Sequence, residues 1–357
     1  MVKRRWRLGP KINFQLRILL LKKTIYAALG LTLLCASALT QTPAAATAGP
    51  MTFDERLGED DGAALAILFG ANLRGNLELC DCNHPRGGLA RRVGYVEGFR
   101  KKFTETPVIQ LEAGQFLYDS TGYADYTMLQ NEQVARAYSR WPVDVINLGR
   151  YDLIWARKIL AREGLTERVA SLPMLKNLIS ANGVFEPTVA APPAFIVKEV
   201  TGPRIKGRKK KLRIGFVGLA EPIKPGGGMF DATVTNIFQA ARKAVLGARK
   251  QCDILVIVAH SEFDAALRLA RENPEADLVI AGDAETVFNT QRIGKTMVVC
   301  AAPGNTQEGD LRLYLAPDGS FSFKFRSTDL DAVVPADPAA AAYTEAARQE
   351  FNKIRNR

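Results

Sequence analysis

The order of apolar and amphipathic runs in this chain predicts an α/β layered fold. Three observations carry that prediction. Short, fully apolar runs alternate with helical patterns over most of the 357 residues. Several of these runs break at their C-terminal ends into Gly, Asn, Arg or Asp, the way an α/β sheet delivers polar groups to a binding edge. The last runs succeed one another as a meander around a Pro317-Asp318-Gly319 turn.

In chain order, residues 1–48 read first as a signal peptide or N-terminal anchor: a basic region ending in Lys22-Lys23, an apolar segment over 25–39, then small residues in TQTPAAATAG. The apolar segment is short for a spanning helix, which needs roughly 20 residues. Leu34 before Cys35 is too large for the usual lipobox, and the residues after Arg4-Arg5 do not continue a twin-arginine pattern. The charged, Gly-bearing stretch within 49–62 reads as a linker. Strand-like runs then lie at 64–69, 108–112, 143–148, 178–181, 194–200, 212–219, 254–258, 278–281, 297–301, 311–315 and 321–326. Helical patterns cover 89–103, 126–140, 154–162, 232–249 and 262–272. The main domain is set at 63–335, with an amphipathic helix after it at 336–357.

Composition narrows the function classes. The net charge of +11 is concentrated: residues 1–48 hold eight Lys or Arg and no acid, and seven more positives lie between Arg204 and Arg213. A basic stripe of the kind that tracks nucleic acid is therefore absent from the sequence, and no nucleic-acid partner is expected. The run at 204–213 sits between two strands and reads as an exposed hairpin loop, with contact to anionic lipid headgroups as the functional alternative.

The polar strand ends carry the chemistry. They read GANLRGNLE at 70–78, EAGQF at 112–116, LGRYDL at 148–153, VAHSE at 258–262 and AGDAE at 281–285. In frame, they resemble the N-terminal domain of the 5'-nucleotidase branch of the calcineurin-like metallophosphoesterases. There the corresponding places read T-N-D-x-H-G-x-L-E, G-D, G-N-H-E, a lone His and G-H-x-H. The resemblance runs from about residue 64 to 337 and implies a four-layer α/β/β/α metallophosphoesterase sandwich. The leader-like layout of 1–48 reads as export, to the periplasm or beyond, with an inner-membrane tether if that segment is retained. The base-stacking second domain common in that branch finds no room before Arg357, so nucleotide specificity lacks its usual source.

The resemblance further implies a two-metal centre at these strand ends, and most of its ligands are replaced. The first motif's Asp and His become Asn72 and Arg74, and the second motif's bridging Asp becomes Gln115. The third motif's Asn, His and Glu become Arg150, Tyr151 and Asp152. The lone His persists as His260, and the final pair of His becomes Asp283 and Glu285. A neutral amide is a poor zinc ligand, and a guanidinium inside a dinuclear site opposes the metal charge. No cofactor is expected on this reading, and guanidinium–carboxylate pairs take over the role of metal–ligand bonds. The arginines also suit an anionic small molecule that is bound without being cleaved. The alternative is a working phosphoesterase in which Asn72, Gln115, Asp152, His260, Asp283 and Glu285 form an oxygen-rich site for Mg²⁺, Mn²⁺ or Ca²⁺, with Zn²⁺ the remaining candidate.

A second constellation lies in CDCNHPRGG, where Cys80, Cys82 and His84 are spaced two apart in the loop before a helix. In 5'-nucleotidase relatives this loop leads into a G-G-x-A-R segment, matched here by Gly87-Gly88-Leu89-Ala90-Arg91, and the resemblance places it beside the active centre. Three readings stand. The two Cys form a redox-labile disulfide that reacts with a thiol-redox partner; or two thiolates and an imidazole hold a soft metal; or the pair is structural, either free thiols or a staple to Cys252 or Cys300. The last two cysteines sit in apolar strands and read as small buried side chains. With His84 and His260 the chain's two histidines, and no G-x-S-x-G, a Ser-His-Asp triad has nothing to build on. Pro225-Gly226-Gly227-Gly228 lacks the Lys and Ser/Thr of a phosphate loop and reads as a plain loop.

Overall fold

Two sheets of six strands pack face to face, and each is covered on its outer side by helices. The computed structural model describes residues 51–118, 124–161, 171–187, 190–205, 211–222, 234–283, 290–300 and 305–355. The leader at 1–48 and the glycine stretch at 225–228 lie outside them.

The first sheet is built from β1 (Leu65–Gly70), β2 (Val108–Glu112), β3 (Val145–Asn147) and β4 (Leu178–Ile179), all parallel. It is extended on the other side by the antiparallel pair β11 (Gln307–Leu315) and β12 (Phe321–Asp329). The second sheet runs β5 (Phe195–Val200), β6 (Leu212–Ala220), β7 (Ile254–His260), β8 (Leu278–Ala281), β10 (Thr296–Cys300) and β9 (Thr290–Ile293) in spatial order. Strands β6, β7, β8 and β10 are parallel; β5 and β9 are antiparallel edges.

The apolar runs explain the layering. Strands buried on both faces need apolar residues on both, and β1 and β7 are buried at every position. Their inward sets, Leu65, Ile67 and Phe69 against Ile254, Val256 and Val258, meet in one core between the sheets. The outward set of the second sheet packs on α5 (Ile237–Arg249) and α6 (Phe263–Glu272). Asn236 caps α5 by accepting from the Phe238 and Gln239 amides. The first sheet is covered by α2 (Leu89–Lys102), α3 (Ala124–Arg140), α4 (Asp152–Ala161) and α7 (Pro338–Arg355). The result is the α/β/β/α sandwich expected from the sequence.

Three boundaries differ from the expectation, each for a physical reason. The stretch read as a linker contains α1 (Phe53–Leu57), closed by a capping box in which Thr52 and Glu55 bond reciprocally. Leu57 is buried there, and Phe53 packs edge-on against Tyr95. The C-terminal helix is part of the sandwich rather than a separate piece: Ala340 and Ala347 are buried in the outer core, and Tyr343 Oη donates to the Gln133 carbonyl at 2.7 Å. The helix read over 232–249 starts at Ile237, where the Asn236 cap sets its first turn.

The basic run is tied down at its described ends. Arg204 pairs with Asp60 and Glu105, Lys211 with Glu199 and Arg213 with Asp253, which leaves less charge for a lipid surface than the sequence suggests.

Candidate functional site

All the strand-end motifs come to one edge because β1, β2, β3, β7 and β8 run parallel within their sheets and end at the same rim. Backbone bonds stitch the exit loops together. The Asn72 amide donates to the Gly114 carbonyl at 2.9 Å, and the Arg74 amide to the Gln115 carbonyl at 2.9 Å. Asn147 Nδ2 crosses between the sheets to the Ala113 and Leu219 carbonyls.

These loops bend in an unusual way. Asn72, Arg74 and Gln115 have φ of 60, 50 and 56°, the left-handed region that L residues other than Asn and Asp seldom adopt. Such conformations cost of order 1 kcal/mol or more and persist where the surroundings over-determine them. Gly114, at φ 125°, is obligatory: a Cβ there would lie 2.8 Å from the His260 Cβ.

At the centre, His260 is fully buried and its Nε2 lies 3.1 Å from Asn72 Oδ1. Asn72 Nδ2 in turn donates to the Gly282 carbonyl at 2.6 Å, which fixes the amide orientation and makes Oδ1 the acceptor. The imidazole therefore carries its proton on Nε2. Burial pushes the His260 pKa down to about 3, with Arg150 and Arg74 lowering it further. The ring stays neutral.

Arg150 forms an ion pair with Asp283 across the two sheets, and both side chains are mostly buried. The same guanidinium lies 5.7 Å from the centroid of the Tyr151 ring. Asp152 is fully buried at the start of α4. Its Oδ2 accepts from the Gln115 and Gly149 amides at 2.6 and 2.8 Å, and its Oδ1 from the Leu117 amide at 2.8 Å. Burial raises this carboxyl to about 8, while the three N–H donors act against the rise. Arg74 is exposed at the rim, and Glu285 lies outside the described residues.

The described members of this donor set have partners of their own: His260 Nε2 is taken up by Asn72, Asp152 by backbone amides and Asp283 by a guanidinium, while His260 Nδ1 is buried with no hydrogen-bond partner among the described residues. Among the described residues no group of three His, Cys, Asp or Glu is placed to hold a metal ion. Asp152, a candidate ligand in the sequence, clasps the exits of β2 and β3: its two oxygens accept from three backbone N–H groups within 2.8 Å.

Sequence reasoning missed two groups. Glu221, at the exit of β6, accepts from the Glu262 amide at 3.0 Å. Burial raises its pKa, the Glu262 N–H lowers it, and of the charges around it Glu262 and Asp283 raise it and Arg150 lowers it, so it borders the Arg150–Asp283 pair. Its only signal was its place at the C-terminal end of an apolar strand. The other is a buried network behind the rim: Arg92 binds Glu112 at 2.8 Å and Glu308 at 3.2 Å, and Tyr138 donates to Glu112 at 2.6 Å. The helical position of Arg92, on a face with Val93, Val96 and Phe99, hid it.

Cys80 and Cys82 are joined to each other by a disulfide, so neither is stapled to Cys252 or Cys300, and the pair with His84 offers no thiolates to a metal. Cys252 and Cys300 are buried in the outer core of the second sheet. The described contacts of the disulfide loop run to the end of β12, which pairs with the start of β11 at the edge where β1 exits: Arg86 pairs with Asp329 at 3.0 Å, and the Gly87 amide donates to the Leu330 carbonyl at 2.8 Å.

No protein-family model and no curated protein matches the sequence. Solved structures do match its fold. A 5'-nucleotidase precursor from Thermus thermophilus superposes with a TM-score of 0.61 at 18% identity, over 81% of this chain and 59% of that one. The Thermus thermophilus sulfate thiohydrolase SoxB gives 0.63 at 16% identity, over 82% of this chain and 61% of its own. The calcineurin-like phosphoesterase YfkN from Bacillus subtilis gives 0.61 at 14% identity, over 83% of this chain and 99% of the other. The chain thus spans about three fifths of the first two proteins. At these identities the likeness establishes the fold.

Proposed function

We propose that this chain, which has the calcineurin-like metallophosphoesterase fold of the 5'-nucleotidases, is an extracytoplasmic thiol–disulfide module that does not hydrolyse phosphate esters through a dinuclear metal centre. The observation that carries the reading is the disulfide between Cys80 and Cys82 on an exposed loop, held against the sheet by Arg86 and Gly87. An exposed disulfide is open to an attacking thiolate, whereas structural disulfides resist reduction. A bridge between residues two apart also closes a loop too short to restrain much of the unfolded chain, so stapling is a weak reason for it.

The strand-end site supports the non-hydrolytic half. Metal-assisted hydrolysis needs cations that activate water and clamp the phosphoryl oxygens, and at those positions His260 is bonded to Asn72, Arg150 is paired with Asp283 and Asp152 is held by backbone amides. The basic, apolar, then small-residue layout of 1–48 supports export to the periplasm or a tether on the outer face of the inner membrane. Among the described residues no helix is long and apolar enough to cross a membrane. An exported location also supplies the oxidising conditions a disulfide requires.

Two assays on the full chain test the reading. Exchange with a thiol, read by mass spectrometry, is expected to reduce the Cys80–Cys82 disulfide in the native protein. Hydrolysis of a generic phosphodiester in Mn²⁺ or Zn²⁺ is expected to be absent. A disulfide inert to thiols removes the redox half; turnover abolished by His260→Ala removes the other. A second reading, an anion bound without cleavage, draws on the exposed Arg74 at the rim; heat on titrating phosphate in chelator would support it.

A further inference from the structure

The two sulfurs of the Cys80–Cys82 disulfide sit in opposite surroundings. Cys80 is partly buried and the Arg86 amide donates toward its Sγ at 3.2 Å; the Cys80 amide returns a bond to the Arg86 carbonyl at 2.8 Å. Cys82 is exposed, as are its neighbours Asp81, Asn83, His84 and Pro85, and its Sγ faces the His84 carbonyl oxygen at 3.1 Å. A backbone N–H stabilises negative charge on sulfur, and a carbonyl oxygen opposes it. The platform beneath Cys80 is rigidly placed: Arg86 pairs with Asp329, and Arg91 Nη1 donates to the Pro85 and Leu330 carbonyls at 2.6 and 3.2 Å. The charged groups nearest in sequence, Glu78, Asp81, Arg86 and Arg91, are mixed in sign, so the local N–H rather than net charge separates the two sulfurs.

We infer that Cys82 is the sulfur that exchanges with the partner and Cys80 is the leaving and resolving thiol, the substrate class being thiols and dithiols. This assignment rests on the thiol–disulfide reading above. In the reducing direction, an external thiolate attacks Cys82 Sγ. The new bond joins the partner's sulfur to Cys82, the Cys80–Cys82 bond breaks, and its electron pair leaves on Cys80 as a thiolate accepting the Arg86 N–H. A second thiolate then attacks the partner's sulfur in the mixed disulfide and releases Cys82. Two partner thiols become one disulfide, two electrons pass to the protein, and two protons are taken up by Cys80 and Cys82. In the reverse direction, Cys82 thiolate attacks an oxidised partner and Cys80 resolves the mixed disulfide. Attack on the exposed sulfur with departure of the better-stabilised one agrees with the usual dependence of exchange on access and leaving-group pKa.

The test treats the oxidised full chain with limiting glutathione and, separately, with a reduced thioredoxin-type dithiol protein. The exchange is stopped by alkylation and the sites are mapped by mass spectrometry. The expected result is partner on Cys82 and alkyl label on Cys80, in at least tenfold excess over the opposite arrangement. In the reduced chain, alkylation at mildly acidic pH is expected to label Cys80 faster than Cys82, once each rate is normalised to that of the same cysteine in the unfolded chain. With an oxidised partner, Cys80→Ser is expected to accumulate a mixed disulfide at Cys82, and Cys82→Ser to form little. Partner found on Cys80, or equal amounts on both, overturns the assignment while leaving exchange intact. No adduct with either thiol, and no reduction, overturns the thiol–disulfide reading itself. Reaction with the dithiol protein alone assigns the partner as a protein; reaction with both assigns the wider thiol class, and either outcome supports the polarity if Cys82 carries the adduct.

Discussion

Asn72 Oδ1 accepts the Nε2 proton of His260 across 188 residues of sequence and between the two sheets. With Nδ2 on the Gly282 carbonyl, the amide satisfies a donor from one loop and an acceptor from another at once. A carboxylate cannot do this. Asn72→Asp is therefore expected to set an anionic oxygen against the Gly282 carbonyl and to lower stability by about 1–3 kcal/mol, as for loss of a buried hydrogen bond. Denaturant melts of the two proteins at neutral pH check it; a variant as stable as the parent would show that the bridge contributes nothing.

The Arg150–Asp283 pair joins the exit of β3 to that of β8. Removing one partner leaves the other's charge largely buried, which is the costly half of such a pair. Arg150→Ala and Asp283→Ala are each expected to cost roughly 1–3 kcal/mol, discounted because both side chains keep some contact with water. The double variant is expected to cost less than the sum. Additive losses in a double-mutant cycle would show that the two groups do not couple.

Stability at acid pH should report His260. Its folded pKa, near 3, lies below the ordinary value of 6.5 because burial and two guanidiniums disfavour the cation. The contribution is fully present above 6.5 and is lost as pH falls from there toward 3, by at most about 1.4 kcal/mol per pH unit. Asp152 and Glu308, raised to about 8 and about 7, slope the other way across most of this window. The expected observation is thus a difference: between pH 6.5 and 4 the parent loses stability more steeply than His260→Asn. Parallel curves would contradict a neutral, buried imidazole.

The Cys80–Cys82 bridge spans too little chain to act as a staple. Replacing both cysteines by Ser is expected to change stability by no more than about 1–2 kcal/mol on the loop-entropy argument. Thermal melts of parent and variant decide this. A collapse of the fold would make the bridge structural and weaken its claim to chemistry.

The frame of this protein was legible because it is written in local patterns. Apolar runs fixed the strands, and their polar breaks marked the rim where Asn72, Gln115, Arg150, His260 and Asp283 meet. The partners were less legible, since they depend on which loops face each other. Nothing near Asp152 in sequence announces that its oxygens would hold the Gln115 and Leu117 amides from 35 or more residues away. Nothing in the helical pattern around Arg92 announces its partners, Glu112 on β2 and Glu308 on β11. Helix α1 was missed although Thr52 and Glu55 carry the capping-box spacing, because a helix of five residues has too few apolar positions to show a period. The disulfide loop obeys the same rule: its spacing announced sulfur chemistry, while its anchorage on Asp329 and Leu330 came from the far end of the chain.

Calorimetric titration of the purified full chain with Mn²⁺ and with Zn²⁺ decides whether the rim still holds a pair of metal ions. The hydrogen bonds and ion pair there predict no stoichiometric binding at His260 and Asp283, and a trace unchanged by His260→Asn. Two equivalents bound per chain, both lost in that variant, would contradict it.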